Sequence, residues 1–366
     1  MTGFRQYGAI IAINSLLAFA VHAAAPAQPD NTDRQEYEYV GVHGLDASCP
    51  WSVYCYRILV PLMLEQLPVN AELRWRWLQL AANTTAGSMV AITTAGLANG
   101  MPAALLATII VQTSFGFAFT AYDPYTADPV VFAILASLAW CWLAQRWLAA
   151  MVVGLIGIFA KETVALLSVA TALAAVIDRR AGWRMWVAQG GLVLATLLVF
   201  HLIMDSYFEW GISTNPAAQF AQGSWLARWW MNNPGLPLKG FFLFAPFGFV
   251  WLYAAAGFSA APKELRHLAL GAALPFLALN YVQNPERALS NLFFIIVPLA
   301  AIALTRVPFG VAMAAVVTNG LFTAKVGSST VWLPSSRWLL APAAASAVWV
   351  FWALLRSDRV ASDTEA

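Results

Sequence analysis

The sequence predicts an all-α, polytopic membrane protein, and three observations carry that expectation. Of its 366 residues, 60% are hydrophobic and 10% charged, mean hydropathy is +0.66, and charges interrupt the long apolar runs almost only at their ends. A soluble domain this apolar would expose aggregating surface, so lipid is the solvent for most of the chain. Crossing the hydrocarbon core takes about 20 apolar residues with internally paired backbone, which makes each such run a helix.

The first run extends from Gly8 to Ala25, after Arg5. HAAAPA at its end offers a cleavage signal, but the run is just long enough to span, so residues 1–26 are read as a retained first helix or signal anchor. On either reading the chain emerges on the same side. Residues 27–56 form a polar loop, and YRILVPLMLEQLP, interrupted by Arg57 and Pro61, is an amphipathic interfacial helix rather than a crossing. Further runs lie at 75–98, 101–121, 128–146, 147–160, 163–178, 184–204, 240–258, 267–283, 289–305, 308–324 and 337–355. The expectation is eleven to twelve spans in one integral-membrane domain, residues 1–366, with a lid-like outer loop at 205–239 and a short tail at 357–366. No internal repeat stands out.

Alternating these runs from an inside N-terminus places Arg146, Arg179, Arg180, Arg184, Lys263, Arg266, Arg306, Arg356 and Arg359 with Arg5 on one face, as short cytoplasmic loops require. The opposite, outer face collects Asp33, Glu36, Asp123, Asp128, Lys161, Glu162, Asp205, Glu286 and Arg287, with Arg57 among its basic residues. This alternation depends on splitting the stretch from Trp147 to Ile177 at Lys161-Glu162. It puts both termini in the cytoplasm and fits a bacterial inner membrane. Trp-rich segments near the outer ends read as headgroup anchors.

Composition also excludes functions. A net charge of +2 and the lack of a clustered basic groove argue against nucleic acid. His43 and His201 lack ligand-spaced companions, and neither a Gly-rich phosphate loop nor a Ser/His/Asp signature is present. Cys49 and Cys55 flank a polar loop segment, where a disulfide depends on geometry and an oxidising compartment.

Each remaining charged motif has a chemical and a structural reading. Asp33, with Glu36 near it, follows directly on the first helix, where a carboxylate beside a hydrophobic groove accepts a proton, ligates a cation, or is merely solvated. In YDPYTADP, Asp128 precedes Pro129 as a helix N-cap would, whereas Asp123 has no such role to occupy it. Lys161 and Glu162 lie within an apolar stretch, are costly charges there, and diverge by about 100° if helical, so they face different partners. Phosphate is one candidate for Lys161. Arg287, beside Glu286, either offers a planar fork to phosphate oxygens or snorkels to the interface.

The first-loop DRQEY, the interfacial YRILVPLM, the turn YDPYTADP, the FAKE segment and PERALSNLFFIIVPLAA together resemble polytopic GT-C type glycosyltransferases, which use a polyprenyl-phosphate-linked sugar on the outer membrane face. The resemblance implies Asp33 as catalytic base or acceptor-binding group, with Glu36 as its understudy. It implies Asp123 and Asp128 as second-loop acids that hold a divalent cation such as Mg or Mn in some members and none in others. Lys161 and Arg287 would hold the lipid phosphate, with Arg57, Glu162 and Glu286 in the substrate pocket. The chain departs from better-defined members in lacking an adjacent Asp-Glu pair in the first loop and a soluble C-terminal domain. Alternative functions are a transporter or flippase of lipid-linked or small polar substrates, or a non-catalytic scaffold of an envelope polysaccharide system.

Overall fold

The computed structural model describes residues 2–26, 32–49, 54–98, 100–179, 181–208, 236–277, 285–328 and 337–365, and these are helical with no strand among them. In chain order they form α1 (Thr2–Ala24), α2 (Thr32–His43), α3 (Leu59–Glu65), α4 (Ala71–Leu97), α5 (Met101–Thr113), α6 (Phe115–Tyr122), α7 (Asp128–Leu143), α8 (Trp147–Gly157) and α9 (Thr163–Asp178). There follow α10 (Trp183–Tyr207), α11 (Leu236–Phe244), α12 (Val250–Gly257), α13 (Lys263–Leu277), α14 (Pro285–Ser290), α15 (Phe293–Leu304), α16 (Phe309–Gly327) and α17 (Arg337–Glu365). The lid expected at 205–239 falls mostly outside the described residues.

Among the described residues, four helices are long and apolar enough to cross a membrane, or five if the bent pair α5 and α6 counts as one span. The protein is thus an all-α membrane protein, but among the described residues length and composition together give fewer spans than the eleven or twelve expected. The difference has a local cause. Run 101–121 is bent by 47° at Ser114, and run 240–258 is divided into α11 and α12 by a turn. Run 289–305 is split between α14 and α15, while α8 and α15 are shorter than a straight crossing.

Both interior breaks are satisfied by side chains and by each other. Phe115 N–H donates to the Pro246 carbonyl at 3.2 Å, the Asn319 amide donates to the Phe247 carbonyl at 3.0 Å, and Phe249 N–H donates to Asn319 Oδ1 at 2.8 Å. Backbone freed at a helix break in a low-dielectric interior needs such partners. Gly248 permits the approach, because its φ is +57° and a Cβ there would strike the Asn319 amide. Elsewhere, Asn14 of α1 donates to Thr84 O at 2.7 Å and to Ser88 Oγ at 3.0 Å, while Gln112 of α5 donates to Asn14 Oδ1 at 3.0 Å, tying α1, α4 and α5 together.

Contacts at the helix ends sort them onto two faces. On one, the Trp142 indole donates to the Glu264 carbonyl at 3.1 Å and Lys263 pairs with Asp178 at 2.6 Å, so the ends of α7 and α9 meet the start of α13. On the other, the turn before α7 meets the segment between α8 and α9 and the short α14, through the acid and base groups described below. Lys161-Glu162 indeed separates two helices, α8 and α9, as the alternation requires.

The first loop is more ordered than a polar segment suggests. α2 forms where a loop was expected, with Asp33 in its first turn, complementing the helix dipole, and an Arg34–Glu38 pair one turn apart at 2.8 Å. Tyr37 and Val40, 2% and 0% exposed, supply its buried stripe, and Tyr37 packs edge-on against Tyr54 and beside Trp75 of α4. Two buried apolar side chains, with Gly41 buried beside them, were enough to dock a helix whose average is polar.

Candidate active site

Five separate segments build the site: the start of α2, residues 54–57, the α6–α7 turn, the α8–α9 turn, and α14 with Arg287. The Cys49–Cys55 disulfide is present and closes the loop that delivers the second segment. From that anchor three consecutive functions fan out. Tyr54 Oη donates to Asp33 Oδ1 at 2.8 Å, Tyr56 Oη bonds Asp205 Oδ1 of α10, and Arg57 forks onto Glu162, Nη2 to Oε1 at 2.7 Å and Nε to Oε2 at 3.2 Å. Leu59 N–H then donates to the Phe159 carbonyl at 3.0 Å, seating α3 on the α8–α9 turn.

Asp128 is the charge centre. One carboxylate oxygen accepts from Lys161 Nζ and the other from Arg287 Nη2 at 3.0 Å, and Asp128 itself is 5% exposed. Its expected role as N-cap is corrected: Ala127 occupies the cap position, Asp128 begins the helix, and its carboxylate turns to the cations. Arg287 is held further by Thr126 Oγ1 at 3.3 Å and by the Phe119 ring, 4.6 Å from the guanidinium carbon. Lys161 and Glu162 do diverge, one to Asp128 and the other to Arg57.

The α6–α7 turn is fixed from α4, where the Gln79 amide donates to the carbonyls of Pro124 and, at 3.0 Å, Thr126. Within it, Tyr125 N–H donates to Asp123 Oδ1 at 3.2 Å. Asp123 is 4% exposed, and its burial pushes the carboxyl up to about 7, against the pull of Arg287 and with the help of Asp33. Glu36, one turn beyond Asp33 on α2, is likewise pushed up to about 7 by burial and by Asp33, with Tyr54 and Arg57 pulling back. Its Oε2 is buried with no hydrogen-bond partner. The site thus holds carboxyl groups poised near neutrality beside fixed cations, the combination proton transfer to or from a charged substrate needs.

Asp33, Glu36, Asp123, Asp128, Lys161, Glu162, Arg287 and Arg57 therefore converge although spread over much of the chain. Glu286 does not join the ion pairs; it is 6% exposed, its Oε2 has no hydrogen-bond partner, and burial raises its carboxyl to about 7. Sequence reading missed Tyr54, Tyr56 and Gln79. The two tyrosines alternate around a cysteine in YCYR next to Arg57, a signal the disulfide question obscured, whereas Gln79 carries no signal within its helix.

A divalent cation fits these residues poorly. Among the described residues no three His, Cys, Asp or Glu side chains converge as a metal site requires, and both Asp128 oxygens already accept from cations. No family model matches this chain, nor does any curated protein or solved structure.

Proposed function

We propose that the protein is a glycosyltransferase of GT-C type that moves a sugar from a polyprenyl-phosphate-linked donor to an acceptor hydroxyl at the outer face of the bacterial inner membrane. The observation that carries this reading is the convergence of Lys161, Arg287 and Arg57 with Asp33, Glu36 and Asp123 at one end of a helical membrane domain. Lipid partners the helices, the donor headgroup meets the charges, and no cytoplasmic energy carrier is required.

In this reading a carboxylate of the Asp33–Glu36 pair takes the acceptor's O–H proton as the acceptor oxygen bonds to the anomeric carbon. The bond from that carbon to the phosphate oxygen breaks, and its electron pair leaves with the polyprenyl phosphate. Lys161 and Arg287 stabilise the charge that grows on that oxygen, as preorganised donors do. Tyr54 positions Asp33, and Arg57 with Glu162 closes the pocket on the α8–α9 side. The disulfide supports an outer orientation, since such bonds persist in oxidising compartments and this one lies on the charged face. Eleven or twelve passes, with both termini in the cytoplasm, remain the topology proposed with it.

The test is transfer of labelled sugar from a polyprenyl-phosphate donor pool in membranes with and without the protein. A labelled product with release of polyprenyl phosphate supports the transferase. Movement of intact donor across the bilayer without product supports a flippase, and neither activity supports a scaffold.

A further inference from the structure

We propose that a crevice between the site-bearing ends of α1 and α4 binds one zwitterionic phospholipid, its phosphate on Arg76 and His22 and its ammonium on Glu72. The crevice lies behind the α6–α7 turn, and its occupant is separate from the donor and acceptor proposed for the charged centre.

The cavity measures about 260 Å³ and is walled by the end of α1, the first turns of α4 and the end of α6. That volume takes a headgroup and the upper part of a chain, with the rest of the lipid lying along exposed Phe19 and Trp77. Polarity along the crevice follows the helices. Glu72, Arg76 and Leu80 succeed one another at four-residue steps on α4, so they form one stripe with rungs about 6 Å apart. Because α4 enters the bundle from Ala71, that stripe reads inward as anion, cation, apolar side chain. α1 runs the opposite way and keeps the order, with His22 about 4.5 Å outside Phe19. A zwitterionic phospholipid has the same sequence from the surface inward: ammonium, phosphate, chain.

The groups at the phosphate level are donors. The Asn83 amide donates to Thr120 Oγ1 at 2.9 Å and to His22 Nε2 at 3.1 Å, which leaves the His22 proton on Nδ1 as the donor this ring can offer the crevice. Arg76 is the second donor and the one formal charge on the lining. It pairs with Glu72 at 3.0 Å, but both side chains are more than half exposed, so the pair is worth less than about 1 kcal/mol and yields to a headgroup. The next charges, Arg34 and Glu38, are paired with each other, and Asp123 is buried and does not line the crevice. The mouth is therefore neutral, with one cation and one anion in the register of the headgroup. An anionic phospholipid would bring no cation to Glu72. The back wall is formed by Tyr122 and Pro124, which flank Asp123, so the lipid braces the turn that Gln79 holds from α4.

The test is binding. The full chain, purified in detergent and stripped of lipid, is titrated with phosphatidylethanolamine or with phosphatidylglycerol of the same chains. Native mass spectrometry counts bound lipid, and the thermal midpoint is compared with each protein's own lipid-free value. One ethanolamine lipid per chain should survive washing and raise the midpoint saturably, and the glycerol lipid should need about tenfold more. Arg76→Gln should weaken ethanolamine-lipid binding about tenfold, and Glu72→Gln should abolish the preference between the two lipids. Ala23→Trp, which fills the crevice from α1 and leaves both charges in place, should remove the stoichiometric lipid. Equal or tighter binding of phosphatidylglycerol by the wild type overturns the proposal, as does ethanolamine-lipid binding that neither Arg76→Gln nor Ala23→Trp weakens. Mole-for-mole displacement of the bound lipid by farnesyl phosphate also overturns it, assigning the crevice to an isoprenoid phosphate. Each of these failures leaves the transferase reading intact, because none measures sugar transfer.

Discussion

Arg287 and Asp128, 159 positions apart, meet at 3.0 Å and bring the short helix α14 to the first residue of α7. This contact completes the site, because it joins a late segment to acids and bases from the first half of the chain. With Lys161 on its other oxygen, Asp128 acts as the hub that aims two cations at one place.

Removing the hub should cost stability. Asp128→Asn leaves Lys161 and Arg287 without their counter-ion in a largely buried setting, and breaking such a pair costs about 3 kcal/mol. The thermal midpoint in detergent should fall clearly, and a double-mutant cycle with Arg287→Gln should return a coupling well above the 0.5 kcal/mol typical of independent sites. Additive losses would show the contact to be incidental.

The raised carboxyls predict opposite pH effects on activity and stability. Glu36, Asp123 and Glu286 have folded values near 7, well above those of an unfolded chain. Between about pH 4.5 and 7 the folded state therefore binds more protons than the unfolded one, so stability falls as pH rises through that window. The thermal midpoint should be higher at pH 5.5 than at pH 8. Transfer needs an ionised carboxylate as base, so its rate should rise with pH through about 7. Glu36→Gln should shrink the stability difference; an unchanged pH profile in that variant would exclude Glu36 as a contributor.

Reducing the disulfide should loosen the segment that carries Tyr54, Tyr56 and Arg57. Cys49→Ser with Cys55→Ser is expected to lower the rate at least tenfold and the thermal midpoint by several degrees, with dithiothreitol reproducing both effects on the wild type. Full activity after reduction would mean that Asp33, Asp205 and Glu162 hold the segment unaided.

Orientation is open to direct labelling. Cysteine placed at exposed Val42, on the α2 side of the molecule, should react with a membrane-impermeant maleimide in intact spheroplasts, and cysteine at exposed Phe309, beyond Arg306, should not. The reverse pattern would invert the topology.

Much of this site was legible in the sequence, and the reason is energetic. A charge in an apolar run is expensive, so Lys161, Glu162 and Arg287 stood out by context, and Asp33 and Asp123 by their position after apolar runs. What escaped was pairing, because sequence shows which charges must be compensated but not by which partner. Asp128 looked like a cap for that reason, since an Asp before a proline at a helix start satisfies both descriptions. The helix breaks were hidden differently: Ser114 and the turn around Gly248 lie in continuous apolar runs, and the Asn319 amide that satisfies the α11–α12 break comes from α16. α2 was missed because its apolar stripe is too narrow to register against five charged or histidine side chains in TDRQEYEYVGVH.

The most direct test of the account is transfer of labelled sugar from a polyprenyl-phosphate donor by wild type and Asp33→Asn at matched protein levels. The account predicts product from the wild type and at least a hundredfold less from Asp33→Asn, whose thermal midpoint should stay close to the wild type's. Equal transfer by both proteins would contradict it, removing Asp33 from the chemistry and leaving Asp123 as the acid to examine.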